Sequence, residues 1–167
     1  FDPSKITAIH MRNSPRLMEA RFSDAAPTNE MGAQYSLLFT TAVACYRDLD
    51  DPLQYDESVL EDENIKRLAG MITTEELAGA GDHGMSAEID MTVDGQTHTL
   101  TAGDFRGSLA NPADFADMES KFRRFSKHVL STDEQDTVIE LVRGLETIAD
   151  MRELTALLPG SGNGSVA

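Results

Sequence analysis

Between Ala87 and Thr101 the sequence admits little besides a β-hairpin. Ala87, Ile89, Met91 and Val93 alternate with Glu88, Asp90 and Thr92, which puts one set on each face of a strand. Asp94-Gly95 follows, and both residue types tolerate the positive φ that a two-residue turn requires. That turn sets the register: Val93 opposite Gln96, Met91 opposite His98, Ile89 opposite Leu100. Glu88, Asp90, Thr92, Thr97, Thr99 and Thr101 are left on a face for water. A sheet with one wet face needs a second layer over the other.

The flanking patterns supply that layer. Residues 5–12 (KITAIHMR) carry β-branched residues with Thr7, Ile9 and Met11 in alternation, a modest strand pattern. Residues 13–27, with Pro15 and Pro27, read as a loop. Thr28 or Asn29 then caps a helix reaching about Tyr46. Met31, Tyr35, Leu38, Ala42 and Cys45 recur at helical spacing, while Leu37, Phe39 and Val43 lie off that stripe, so this helix is expected to be central. Residues 48–63 are dense in Asp and Glu, which predicts an exposed connector before a short helix near 63–70. Residues 78–84 form a glycine-rich loop.

The last third is helical in pattern. Asn111-Pro112 is expected to open a helix with Phe115, Met118, Phe122, Phe125 and Val129 in one stripe. Thr132 with Gln135 fits a capping box before Val138, Leu141, Leu145 and Ile148. Asp150 caps a short helix carrying Leu154 and Leu157. Strand, helix, hairpin and then helices give an α+β class: a small antiparallel sheet with the 93–96 hairpin, packed by a central helix and C-terminal helices. One domain over 1–159 is expected, with 160–167 a flexible tail.

Charge narrows the function classes. The chain of 167 residues holds 14 basic against 29 acidic residues, a formal net charge of -15. Such a surface repels phosphate backbones, so neither nucleic acid nor an anionic membrane is an expected partner. The longest apolar run, near 42–45, is far too short to span a bilayer. The lone cysteine, Cys45, excludes an internal disulfide and fits a reducing compartment, so a cytoplasmic protein is expected. The opening Phe1-Asp2-Pro3 reads as a piece of something larger or a trimmed chain.

Few residues carry chemistry on their own. His98 lies on the apolar side of the hairpin, where a satisfied core or edge histidine is expected. His83 sits in the glycine loop, and His10 and His128 have no second ligand at metal spacing, so no metal site is expected. Cys45, in an apolar helix, reads as inert. No nucleophile elbow, phosphate loop or dinucleotide fingerprint occurs. The cations are more informative. Lys5, Arg12, Arg16 and Arg21 exceed Asp2 and Glu19 in the first 22 residues, and Lys121, Arg123, Arg124 and Lys127 form a second cluster. A guanidinium on the strand or loop before the central helix suits a carboxylate ligand; pairing with the chain's own acid is its competing role. Read this far, the chain is an α+β domain without a self-contained active site.

Residues 27–48 carry a resemblance. Ala33-Gln34-Tyr35-Ser36-Leu37 and the alanine-rich helix after it resemble a segment of the MmgE/PrpD family. Gly107-Ser108-Leu109-Ala110-Asn111-Pro112 is similar to that family's Gly-x-x-x-Asn-Pro turn, and Glu119-Ser120-Lys121-Phe122-Arg123 to its Glu-x-Lys-Phe-Arg helix. The resemblance implies the smaller, C-terminal α+β domain of a dimeric enzyme whose larger half is helical. It implies a lyase or isomerase that dehydrates, decarboxylates or epimerises a small polycarboxylate (2-methylcitrate, cis-aconitate or iminodisuccinate type) by proton abstraction, without metal or organic cofactor.

The family's acid–base histidines and catalytic lysine belong to the part not resembled, so no catalytic residue is assigned in this chain. A tyrosine implicated in some members falls near Leu17 or Met18, where there is no hydroxyl. What remains is a pocket wall, with Arg12, Arg16, Arg21, Gln34 and Ser36 as candidate substrate-binding residues, and a dimer scaffold. The expected partners are the polycarboxylate, the helical domain and a second copy. The alternative is a stand-alone, non-catalytic binding or assembly subunit of the same fold.

Overall fold

A computed structural model describes residues 2–19, 22–79 and 86–158. Strand β1 (Ile6–Asn13) runs through the middle of its first half. Ile6, Ile9, Met11 and Asn13 are buried, a spacing that a strict period of two cannot give. A register shift between Ile6 and Ala8 against the neighbouring strand supplies the extra residue and turns Ile6 inward, leaving Thr7 outside.

The hairpin forms in the expected register. β3 (Ala87–Val93) and β4 (Gln96–Ala102) pair antiparallel, with Val93 opposite Gln96 and Ile89 opposite Leu100. Asp94 and Gly95 hold φ of 50° and 76°, as the two-residue turn demands. A further strand, β2 (Ile72–Glu76), lies parallel to β1 and pairs Ile9 with Ile72 and Asn13 with Glu76. The sheet order is β2-β1-β3-β4, so the sheet is mixed where an antiparallel one was expected. The sequence Ile72-Thr73-Thr74-Glu75-Glu76 hides this strand because Ile72 is its one buried side chain. A parallel partner also requires a crossover, and the helices between β1 and β2 provide it.

Those helices cover the inner face. The helix expected to run unbroken to Tyr46 is two, α1 (Glu30–Tyr35) and α2 (Leu37–Tyr46). Asn29 caps the first, accepting from the Gly32 N–H at 2.9 Å. Ser36 interrupts them with an extended backbone and caps the second, accepting from the Phe39 N–H at 3.0 Å. The break rotates α1 off the apolar stripe, and Met31 and Tyr35 are 70% and 59% exposed instead of packed. Leu38, Phe39, Ala42 and Val43 of α2 join Ile6, Ile9 and Met11 in the core, with Ile65 and Leu68 of α3 (Glu63–Ala69). Each large buried side chain of this set contributes about 1.5–3 kcal/mol by leaving water.

The acidic connector is more ordered than expected. Asp51 and Asp56 cap short 3-10 turns at Pro52–Gln54 and Glu57–Leu60, and Val59 is fully buried. Its carboxylates accept backbone N–H groups, which offsets their mutual repulsion.

By contact the chain falls into two compact units, Phe1–Pro112 and Ala113–Ala167. The second contains α4 (Phe115–Ser126), α5 (Thr132–Arg143) and α6 (Arg152–Thr155). Asp114, not Asn111, caps α4, in a capping box with Asp117; Asn111 instead ties the preceding turn, its Nδ2 donating to the Asp104 carbonyl at 3.1 Å. The second box is Ser131 with Glu134, one residue ahead of the expected pair. Gln135, released from that role, is buried and donates to Ser126 Oγ at 2.9 Å and the Arg123 carbonyl at 3.1 Å. The glycine loop from 80 onward and the tail at 160–167 lie outside the described residues.

Candidate functional site

β1 delivers two kinds of surface to its C-terminal end. Its outward side chains, His10 and Arg12, lie in a polar network on the wet face. Arg12 Nε donates to Glu88 Oε1 at 2.7 Å and its terminal nitrogen to Asp90 Oδ2 at 2.8 Å, with a further short contact to Glu88. Asp90 also accepts from Thr99 Oγ1 at 2.6 Å. The Thr99 hydroxyl first, then Arg12, holds the Asp90 carboxyl below its ordinary range, and Asp90 and Glu88 raise the guanidinium's. His10 contacts Thr73 Oγ1 at 2.8 Å and Glu75 Oε1 at 3.0 Å.

The inward side chains meet the helices. Thr41 Oγ1 of α2 lies 3.7 Å from Met11 Sδ, so alternation points Arg12 away from α2. Asn13, on the Met11 side, is fully buried; its Nδ2 reaches only Met18 Sδ at 3.9 Å and its Oδ1 has no partner. Backbone bonds from Leu77 N–H to the Asn13 carbonyl (2.7 Å) and from Ser14 N–H to the Ser86 carbonyl (3.0 Å) fix the strand end. The chain then turns through a 3-10 segment, Pro15–Met18, started by proline at its first position. Arg16 stands exposed on that turn, and among the described residues its side chain has no ion pair or hydrogen bond.

The five candidates are therefore not gathered. Arg12 is on the wet face with both ends of its fork on carboxylates. Arg16 is on the turn after β1. Gln34 is exposed on α1. Ser36 is fully buried between α1 and α2, its Oγ donating to the Asp24 carbonyl while it caps Phe39, so proton and lone pair are both in use. Arg21 lies outside the described residues, as does His83.

Other residues behave as their surroundings dictate. His98 is exposed, because nothing in its unit covers β4. Cys45 bonds the Thr41 carbonyl at 3.4 Å, and burial pushes its thiol up, away from the reactive thiolate. In the second cationic cluster Arg123 pairs with Glu119 at 2.9 Å and Asp136 at 2.6 Å, and Arg143 reaches Glu119 at 2.9 Å, joining α4 to α5. Among the described residues no group of three or more His, Cys, Asp or Glu is placed to share a metal ion, and no helix is long and apolar enough to cross a membrane.

A pocket of about 340 Å³ opens beside the lead-in to α1, lined by Ala26, Pro27, Thr28, Phe39, Leu60, Glu61 and Lys66. Its one cation, Lys66, is 2.9 Å from Glu63 and 3.9 Å from Glu61. Asn13 and the partners of His10 escape a reading of the sequence, since both depend on β2. The signal was an asparagine at the inward phase of β1, where the alternation calls for an apolar side chain.

Comparison with known proteins bears on what such a surface serves. The MmgE/PrpD C-terminal domain profile matches residues 1–147. Cis-aconitate decarboxylase of Homo sapiens is 37% identical over 81 residues, 48% of this chain. The matched stretch is 17% of that relative's length.

Proposed function

The chain belongs to the MmgE/PrpD family as a C-terminal domain, and from that membership we propose that it forms part of a lyase or isomerase acting on a small polycarboxylate. In this reading the domain supplies pocket wall and dimer scaffold, a helical domain supplies the base, and the chain alone is inactive. A C–H bond next to a carboxylate is acidified when that carboxylate is held by cations, because charge developing on its oxygens is stabilised in place. The abstracted proton goes to the base. The electron pair left on carbon then expels hydroxide, replaces lost carbon dioxide once reprotonated, or takes back a proton on the opposite face. Which of these occurs depends on residues outside this chain.

One observation carries the assignment of the wall. In a chain of net charge -15, Lys5, Arg12, Arg47, Lys66, Arg123, Arg143 and Arg152 each sit on a carboxylate. Arg16 does not, and it is exposed. A cation left unpaired among so much acid is available to an anionic ligand, and a charge-assisted bond to it is worth about 1.5–3 kcal/mol. Arg21 and Gln34 complete the proposed wall. Arg12 joins it only by giving up Glu88 or Asp90, and Ser36 only by giving up its cap.

The test uses the enzyme with its helical domain, a panel of di- and tricarboxylates in heavy water, and NMR detection of deuterium entering the substrate. Arg16→Ala is expected to raise KM by roughly 10–100-fold, the rate equivalent of that bond. Unchanged kinetics in both Arg16→Ala and Arg21→Ala would remove the assignment. The alternative, a non-catalytic binding or assembly subunit, draws support from the internal commitment of Arg12 and Ser36. A native mass near 18.2 kDa in the source cells, with no turnover of the panel, would favour it.

A further inference from the structure

The two edges of the sheet are treated differently. β2, at one edge, ends in Glu75-Glu76, charges of the kind that discourage strand addition. β4, at the other, reads Gln96-Thr97-His98-Thr99-Leu100-Thr101-Ala102 and carries no Asp, Glu, Lys, Arg or Pro. All seven of its residues are exposed, Leu100 to 60%. The turn that follows adds Phe105 at 58% and Leu109 at 104%. An uncharged edge of this length in a chain of net charge -15 lacks the devices that keep such edges monomeric.

The hairpin fixes which backbone groups are free. Its two-residue turn closes Gln96 N–H onto the Val93 carbonyl. Alternation then points the N–H and C=O of His98, Leu100 and Ala102 toward β3, and those of Thr97, Thr99 and Thr101 outward. These three threonines are symmetric about Thr99. If a second β4 lies antiparallel with Thr99 facing Thr99, then Thr97 faces Thr101 and each pair exchanges both backbone bonds. Threonine pairs with threonine on the wet face, and His98 with Leu100 on the other.

We propose that β4 is the surface through which two copies of this chain pair, joining their sheets across a twofold axis at Thr99. The occupant is a second copy because the strand is self-complementary in this one register and because an uncharged edge is where two acidic chains can approach. The homodimer of the reading above thereby gains a surface. Its test needs no substrate, so failure here leaves the catalytic reading standing, and the reverse.

Sedimentation of the 167-residue chain is expected to give a species of twice 18.2 kDa, tightening several-fold from roughly 50 to 500 mM salt as repulsion between the acidic copies is screened. Thr99→Pro removes an outward N–H and spares the ladder to β3, so it is expected to yield monomer with unchanged circular dichroism. In a Cys45→Ala background, Thr99→Cys is expected to form a disulfide-linked dimer in air, since paired Cα atoms about 5.5 Å apart can be bridged. Thr97→Cys, facing Thr101, is expected not to. A monomer at all concentrations overturns the proposal. So does a dimer that survives Thr99→Pro without Thr99→Cys cross-linking, and if Thr99→Pro fails to fold, the cysteine pair decides.

Discussion

Ser36→Ala separates the two roles open to this serine. In the structure its hydroxyl accepts from the Phe39 N–H at 3.0 Å and donates to the Asp24 carbonyl. The side chain is fully buried, so water replaces neither bond. Loss of an N-cap costs about 0.5–2 kcal/mol. Leaving a buried carbonyl unsatisfied costs about 1–3 kcal/mol more. The two share one oxygen and one relaxation, so the sum is expected near 2–4 kcal/mol, not the full 5. For a chain of this length, that lowers the melting temperature by roughly 5–15 °C. Circular dichroism melts of parent and variant measure it. Ser36→Thr retains the hydroxyl but adds a methyl where there is no space, and is expected to cost about 1–3 kcal/mol by overpacking. A Ser36→Ala variant within about 0.5 kcal/mol of the parent would refute the argument, because the cap would then carry nothing. A variant equally stable but with KM raised would go further and return Ser36 to the substrate-binding wall.

Three more outcomes follow from the same structure. Tyr55→Phe is expected to be neutral or slightly stabilising in urea melts, since the buried hydroxyl it removes has no hydrogen-bond partner. Burial pushes that phenol up to about 12; because the folded value is raised, the parent loses stability as pH rises from about 10 to 12, and the variant is expected to lose less. Arg12→Gln is expected to destabilise at pH 7 by leaving Glu88 and Asp90 together, with the gap to the parent closing below about pH 4. The sign follows from Asp90, whose depressed carboxyl stabilises the fold above the ordinary carboxylate range and stops doing so as pH falls through its folded value. Finally, a fragment of residues 113–167 is expected to be unfolded by circular dichroism. Its buried apolar residues among those described are Leu130, Val138 and Ile139, too few to offset the entropy of ordering it alone; a cooperative melt of the fragment would refute this.

The hairpin was legible because two independent signals agreed on it. Alternation over 87–93 named the faces, and Asp94-Gly95 named the turn, so every pair in the register followed. Where a single signal stood alone, the reading slipped. Helical spacing ran from Met31 to Cys45, but spacing does not report a residue that competes for its own backbone. Ser36 does so through its hydroxyl and splits the helix. Asn111-Pro112 and Thr132/Gln135 were plausible caps set beside better ones, Asp114/Asp117 and Ser131/Glu134, whose side chains reach the N–H groups. β2 was invisible because a parallel strand is defined by its partner, and Ile72-Thr73-Thr74-Glu75-Glu76 has no pattern of its own. The candidate site suffered similarly. Arg12 was read as a free cation because Glu88 and Asp90 lie more than seventy residues away in sequence, and the strand pairing alone brings them together.

That last case explains why Arg16 tells more than Arg12. In a chain with this excess of acid, sheet pairing places carboxylates beside almost any cation on a strand, as it does for Lys5 and Arg12. Helix spacing does the same for Lys66 and Arg123. A residue escapes both only where the chain has neither a cross-strand neighbour nor a following helical turn. The single 3-10 turn at Pro15–Met18 is such a place. Proline at its start fixes the backbone without a donor, Ser14 and Asn13 bury the approach, and the side chain at Arg16 is left outward and uncommitted. Local geometry therefore does for Arg16 what no change of charge elsewhere in the sequence would do. It follows that Asp or Glu introduced at Leu17 or Glu19→Lys should alter binding through Arg16 in opposite directions, while the same changes beside Arg12 should alter folding first.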